Sequence, residues 1–420
     1  MNIAVIGSGI SGLTAARKLS ADHTVALFER ESRLGGHTHT VTVPYEGREW
    51  HIDTGFIVFN HRNYPRFTAL LRELDVPTLP TTMSLGVCSD ADGIEYCGSS
   101  LSQLFAQRRN LASPRFYGML RDIIRFHKAA DAFLAKPDPK ESMLNFVGHL
   151  RLGKAFREWY LVPIMAAIWS TEPARTLSFP ALFILRFLRN HGMTQVKGRP
   201  QWHVLRGGSS QYLAPISASF RDRIHLHTPV DGISRTSRGA ELYSGGRKIG
   251  FFDAVVIATH SDTALKLLGD QATSAEREVL GAIPYQQNDV VLHNDTSILP
   301  RSRRAWAAWN YRVGTEATKP PIVTYNMNEL QRLEAPTTFC VTLNSDAIAP
   351  EAVFARFRYD HPLFTSQAVA AQARHREING QNRLYFCGAY WGNGFHEDGV
   401  VSGETAAAHL EADHPRGIAV

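Results

Sequence analysis

The stretch "NIAVIGSGISGLTAARKLSADHTVALFERESRLGG", residues 2–36, decides the fold. A short apolar strand, Ile3 to Ile6, runs directly into Gly7, Gly9 and Gly12, and a helix carrying Leu13, Ala16 and Leu19 follows. In such a strand, turn and helix, Gly7 permits the turn, Gly9 admits a pyrophosphate to backbone N–H groups, and Gly12 lets helix and strand pack closely. The phosphate then sits at the positive end of the helix. A second strand, "HTVALFE", ends in Glu29, seventeen residues after Gly12, where a carboxylate accepts hydrogen bonds from ribose hydroxyls. A glycine-rich turn without a ligand would need neither that spacing nor the acid. The expected fold class is α/β, built on a Rossmann-like dinucleotide-binding domain.

Beyond Glu29, Arg33 with Gly35 and Gly36 adds a second close-approach element that a simple NAD unit does not need. Here the chain resembles the FAD-binding proteins of the flavin amine oxidase, protoporphyrinogen oxidase and phytoene desaturase superfamily, of glutathione reductase-like GR2 type. Their fingerprint continues from the ribose acid into an Arg-x-Gly-Gly element, which reads "RLGGH" in this sequence. The resemblance implies FAD, held by Gly7, Gly9, Ser11, Gly12, Glu29, Arg30, Arg33, Gly35 and Gly36. His37 stands where many members carry Arg and joins this set. His37 and His39 lack a third ligand at a metal spacing, so no metal is expected. In "HIDTGFIVFN", Asp53, Thr54 and Gly55 resemble the Asp-x-Gly turn with which desaturase-like relatives pass the flavin ring; an ordinary Asp-Thr-Gly turn is the plainer alternative.

A chain of 420 residues exceeds the roughly 250 to 300 at which single cores stop growing, so two domains are expected. The FAD domain takes residues 1–59, 201–266 and 376–420. An inserted α+β substrate domain takes 60–200 and 267–375. "IHLHTPVDGISRT" alternates like a strand, with Val230 matching the position whose backbone meets the adenine in relatives. Phe116, Met119, Leu120, Ile123 and His127 recur at helical spacing, as do Phe183, Ile184, Phe187 and Leu188. Such stripes are core or tunnel wall, although "FPALFILRFLRNHGM" also suits a lipid interface. Arg301, Arg303 and Arg304 read as a solvated turn or as cations at a tunnel mouth.

The far end, "YFCGAYWGNGFHEDGVVSGETAAAHL" at 385–410, repeats the superfamily's strand, small-residue loop and helix start. That resemblance adds Gly388, Tyr390, Gly399 and Val400, with Ser402 and Gly403, to the cofactor positions. The helix N-terminus would stabilise charge gathering on the carbonyl edge of a reduced flavin. Trp391 and Tyr311 are expected to meet substrate. His396 or Glu397 is expected to move the proton accompanying hydride transfer, the plainer alternative being Glu397 in a surface pair, and Asp398 is the expected helix cap.

"CGAYWGNGFHEDG", "VLHNDTSILPRSRRAWAAWNY" and "TYNMN" resemble more narrowly a group of bacterial FAD-binding proteins associated with cyclopropane or methyl fatty-acid synthases. This implies an FAD-dependent oxidoreductase that dehydrogenates or desaturates an unsaturated or branched fatty acyl chain. The rivals are a redox-neutral fatty-acid isomerase, an amine oxidase, and a flavin-bound lipid-binding accessory protein without turnover. The strand "YQQNDVVLH" lacks the lysine that amine oxidases place beside the flavin, and no cysteine lies in an attachment motif, so the FAD is expected to be non-covalent.

Composition limits the partners. With 44% hydrophobic and 20% charged residues the chain reads as an ordinary globular protein, and its longest apolar runs fall short of the roughly 20 residues of a spanning helix. The opening carries no secretory signal, so a cytoplasmic protein is expected, with peripheral contact at the inner membrane face left open. Cys88, Cys97, Cys340 and Cys387 follow no ligand or disulfide spacing and read as buried thiols. The net charge of +6, which would favour an anionic substrate or membrane surface, is spread along the chain with no nucleic-acid motif behind it; the apolar small molecule expected as partner is what the lipid resemblance implies.

Overall fold

The computed structural model describes residues 1–195, 198–314, 316 and 318–415. Residues 196, 197, 315, 317 and 416–420, which belong to the expected segments, lie outside the described residues. Five strands form one parallel sheet: β1 (Asn2–Ile6), β2 (Thr24–Phe28), β3 (Ile224–His225), β4 (Ala254–Ile257) and β5 (Leu384–Phe386), in spatial order β3-β2-β1-β4-β5. Every residue of β4 and β5 is buried, as expected of strands covered on both faces. Ile3, Val5, Val25 and Leu27 point into one apolar cluster with Leu13, Ala16 and Leu410, while Ala4, Ile6, Val255 and Ile257 point into the other with Leu267 and Leu280. The period-2 alternation of each strand thus feeds two layers.

Two helices meet over this sheet. Ile10–Leu19 follows the glycine loop, and His396–Asp413 packs across it. Their approach is close because a Cβ on Gly403 would stand 2.3 Å from the Ser11 carbonyl oxygen and one on Gly399 would stand 2.5 Å from Ile10 Cγ2. The ends of the chain are thereby joined around one loop.

The run read as one strand at 224–236 is instead broken. It is strand at Ile224–His225 and again at Gly232–Arg235, with His227 left-handed at φ 50° and Pro229 between. Proline supplies no ladder donor, and a β-branched or bulky residue at positive φ does not continue a strand. The break turns Thr228, Pro229 and Val230 toward the central cavity.

Strands from both long intervening stretches share a second sheet of seven, ordered 353–362, 285–293, 340–343, 322–326, 309–312, 85–89 and 94–97. All its pairs are antiparallel except 309–312 with 85–89. Helices Pro114–Ala135, Val162–Trp169 and Ala181–Asn190 pack a separate core containing Phe126, Leu161, Trp169, Ile184 and Phe187. The apolar face of 181–190 therefore lies inward, and Arg303 stacks over Trp306 instead of reaching the cavity. All four cysteines are free and buried. No helix among the described residues is long and apolar enough to cross a membrane.

Candidate functional site

A cavity of about 560 Å³ runs between the two sheets from β2 to the start of the 396–413 helix. Its first part is the glycine loop. Gly9 is the N-cap of helix 10–19 and makes no side-chain cap bond, which leaves the first-turn N–H groups for a ligand. A Cβ on Gly9 would meet nothing within 4 Å, so this position opens onto the cavity. Gly12 is the opposite case: its Cβ would stand 2.0 Å from the Gly7 carbonyl oxygen, and the position serves packing. Ser11, Gly7, Gly35, Gly36 and Arg30 line the same end.

Glu29 lies here almost fully buried. One carboxylate oxygen accepts from the Ser8 N–H at 2.9 Å and the Ser8 hydroxyl at 2.6 Å, the other from the Glu31 N–H at 2.9 Å. Ser8, which the sequence reading passed over, also receives the Gly35 N–H at 3.1 Å and so locks the two glycine elements together. Its signal was its place between Gly7 and Gly9. Arg33 does not line the cavity; its guanidinium donates to the carbonyls of Leu34, Gly36 and Thr38 and shapes the turn at Gly35–Gly36. An acid beside a free helix N-terminus, with a glycine that opens onto the space between them, fits the adenosine and pyrophosphate of FAD.

The middle of the cavity carries three histidines. The His37 ring lies 5.6 Å from that of His361 and 6.0 Å from that of His260, which stacks on Tyr285 at 4.6 Å. Burial is the main cause that lowers all three, His37 and His260 to about 4 and His361 to about 3, so each is neutral near pH 7. His37 Nε2 is buried with no hydrogen-bond partner in the protein, an orphan donor or acceptor beside Gly36.

Sequence gave no sign of the device that orients His361. Asn344 Oδ1 accepts from the Asp289 N–H, and its Nδ2 donates to the Pro321 carbonyl and, at 2.8 Å, to Asn288 Oδ1. This fixes the Asn288 amide, whose Nδ2 donates at 2.9 Å to His361 Nδ1. A neutral imidazole that accepts at Nδ1 carries its proton on Nε2, so His361 offers the cavity an N–H donor in one tautomer.

The far part of the cavity is apolar and aromatic. Phe56, Ile168, Trp169, Phe187, Trp309 and Phe364 line it, with Met83 and Met193 among them. His396 enters at the helix start, stacked on Phe56 at 3.5 Å between ring centroids, with Nε2 3.0 Å from the Thr38 hydroxyl and 3.2 Å from the Tyr212 hydroxyl. Burial, then His37, holds His396 well below the usual imidazole range. Of the described lining residues only Glu29, Arg30 and Asp360 are charged. The first two lie at the β2 end, and Asp360 precedes His361 next to His37.

The remaining expected site residues divide. Gly55, Val230, Gly388 and Tyr390 line the cavity. Gly399 and Val400 are buried against helix 10–19 and the core beneath it. Three are placed elsewhere, which corrects their expected contacts. The Glu397 carboxylate accepts the N–H groups of Arg66 and Phe67, both at 2.9 Å, and caps helix Pro65–Glu73 instead of facing the cavity. Trp391 packs on His375 at 4.2 Å, behind the loop. Tyr311 is buried in another cluster with Phe116 and Trp159, because its strand turns that face away. Asp398 accepts the Phe395 N–H at 2.9 Å, as a helix cap does.

Asp53 and Thr54 also stand behind the lining. Asp53 Oδ1 accepts from the Thr40 hydroxyl, the Ser209 N–H and the Ser209 hydroxyl, tying strand 48–53 to the Gly207–Gly208 turn, while Oδ2 has no partner. Thr54 donates to the His39 carbonyl. Burial raises Asp53 to about 6 from 3.8. The native state then holds this proton to higher pH than the unfolded chain does, so its contribution is full below about pH 4 and is lost as pH rises through about 6. Relative to Asp53→Asn, the wild type should lose about 3 kcal/mol of unfolding free energy across that window. Urea melts of both proteins from pH 4 to 8 measure the difference.

Four resemblances to known proteins bear on this site. The family model described as flavin containing amine oxidoreductase matches residues 10–293, more than half of the chain. An L-amino acid dehydrogenase of Synechocystis sp. is 26% identical over 276 residues, 61% of this chain and 55% of that relative, so the match spans little more than half of the relative's length. Among solved structures, cyclohexylamine oxidase from Brevibacterium oxydans superposes with a TM-score of 0.71 at 16% identity over 99% of both chains. A fatty acid isomerase from P. acnes that produces CLA superposes at 0.68, with 15% identity over 99% of this chain and 98% of that one. These distant likenesses establish the shared fold.

Proposed function

Because this chain belongs to the flavin containing amine oxidoreductase family, whose cofactor is FAD, we propose that it is an FAD-dependent oxidoreductase acting on a fatty acyl chain, which it dehydrogenates or desaturates. The observation that carries this reading is the far cavity wall, where Phe56, Ile168, Trp169, Phe187 and Phe364 stand with no charged side chain among them. A substrate ammonium there would find no carboxylate and a substrate carboxylate no guanidinium, and an unpaired buried charge is costly. A hydrocarbon chain fits without such a penalty. The narrower sequence resemblance in "CGAYWGNGFHEDG" supports the same substrate class.

When bound, FAD supplies the two-electron acceptor: one hydrogen of the substrate leaves as hydride, and a neighbouring one leaves as a proton while the double bond forms. The chain's own residues position and protect. Gly9 and the first turn of helix 10–19 would receive the pyrophosphate, and Glu29 would receive the ribose. Apolar side chains exclude water from the reacting carbons. Of the two residues expected to handle the proton, His396 lines the cavity, with Tyr212 and Thr38 as its hydrogen-bonded relay. His361 would offer its N–H to an oxygen or nitrogen in the cavity beside His37.

Anaerobic mixing of the yellow protein with unsaturated or branched fatty acids tests the reading. Lasting loss of the flavin band supports dehydrogenation. A rearranged fatty acid without net flavin reduction would assign the isomerase activity instead, and bleaching by amines alone would overturn the lipid substrate. In a series of acyl chains, each added methylene should lower KM about fourfold until the cavity is full, since burying one CH₂ contributes about 0.8 kcal/mol. A flat series would exclude the apolar wall as the chain-binding surface.

A further inference from the structure

We infer that the outer surface formed by residues 101–128 docks on an anionic lipid bilayer. Helix Pro114–Ala135 buries Phe116, Met119, Asp122, Phe126 and Ala130 inward. Its opposite stripe, Tyr117, Arg121, Ile124 and Lys128, repeats at i, i+4, i+7 and i+11 and is exposed. On this outer stripe the apolar side chains stand largely in solvent; Ile124 is 58% exposed and Tyr117 48%. The segment before it continues the pattern. Leu101 is 77% exposed and Leu111 51%, and the Phe105 ring lies 6.2 Å from that of Tyr117, which sets the short 101–104 helix against the long one.

Charge identifies the partner. Between 101 and 128 the cations are Arg108, Arg109, Arg115, Arg121, Arg125 and Lys128, and the one acid is Asp122. Asp122 is buried and accepts from Gly153 N–H and Arg125, so it offers no negative charge outward. Arg115 is engaged by Asp92, but Arg108, Arg109 and Lys128 have no carboxylate partner among the described residues. Unpaired cations set among exposed Leu, Tyr and Ile match a surface of phosphate headgroups over acyl chains: the cations meet phosphate while the apolar tips enter the interface. A protein surface of ordinary composition would not require that alternation.

The docking face also has a physical route to the cavity. Phe126 and Ala130 on its inner side share a core with Phe187, which lines the cavity.

The test uses flavin-loaded full-length protein and sedimentation with vesicles, either phosphatidylglycerol in phosphatidylcholine or phosphatidylcholine alone. Binding should favour the anionic vesicles by at least about tenfold. It should weaken by a similar factor at about 0.5 M salt, where the Debye length falls below about 5 Å. The double variant Leu101→Glu with Ile124→Glu should lose binding while keeping its flavin spectrum and melting temperature, because both side chains are mostly exposed. Equal binding to neutral vesicles, or undiminished binding by the variant, would overturn the inference. So would a salt-insensitive dimer that the variant dissociates in analytical ultracentrifugation, which would assign the surface to a second copy of the chain.

Discussion

Replacing Gly12 by valine leaves a protein that holds no flavin. A Cβ at this position would stand 2.0 Å from the Gly7 carbonyl oxygen and 3.0 Å from the Ala258 Cβ, and the first of these is backbone with nowhere to retreat. To relieve the overlap, helix 10–19 must withdraw from β1 and β4, carrying its N-terminal N–H groups away from the pyrophosphate position. The expected loss of FAD affinity is at least about 100-fold, since both the fixed dipole and several hydrogen bonds to a charged group are displaced. Gly9→Ala separates binding from folding. Its Cβ meets no protein atom within 4 Å, so melting of the flavin-free protein should hardly change, yet the methyl group intrudes where the phosphate approaches. Flavin absorbance after gel filtration, and calorimetric titration of the stripped proteins with FAD, read both results. A Gly12→Val protein that stays yellow would show that the loop is not the cofactor cradle.

Met83→Glu should abolish turnover of acyl substrates while leaving the flavin spectrum intact. Met83 lines the far cavity from an irregular segment and belongs to none of the main apolar clusters, so its side chain can be changed with little effect on folding. A carboxylate there is covered by hydrocarbon whenever an acyl chain enters. Removing that charge from water without a partner costs several kcal/mol, enough to lower kcat/KM by more than about 100-fold. Met83→Leu keeps volume and apolarity and should stay within about threefold of wild type. Single-turnover reduction of the flavin at saturating and limiting substrate separates lost binding from lost chemistry. Unchanged kinetics in the glutamate variant would move the substrate out of this cavity.

The glycine loop, Glu29 and the strands beside them were legible because their chemistry is local: a turn, a helix start and an acid at fixed spacing fold the same way almost regardless of the rest. The final helix was legible for a related reason, since Gly399 and Gly403 sit one helical turn apart where a close neighbour must pass. Glu397 and Tyr311 misled because residue type suggested chemistry while direction was set elsewhere. Glu397 turns to cap the 65–73 helix, whose N-terminus offered two N–H groups at 2.9 Å. Tyr311 follows the alternation of its strand into a separate core. His361 could not be found from its neighbours in sequence, since its tautomer is fixed through Asn288 and Asn344, 73 residues away at the first link and 56 at the second.

By itself the sequence determined that the chain builds a dinucleotide-binding α/β sheet with an acid and a free helix N-terminus at one end, because backbone sterics and dipoles act over a few residues. Only the tertiary structure decided which side chains look into the cavity, which imidazoles are neutral there, and which helix face is left uncovered. Those depend on burial and on partners brought together across hundreds of residues, and neither is written into any short stretch of the chain.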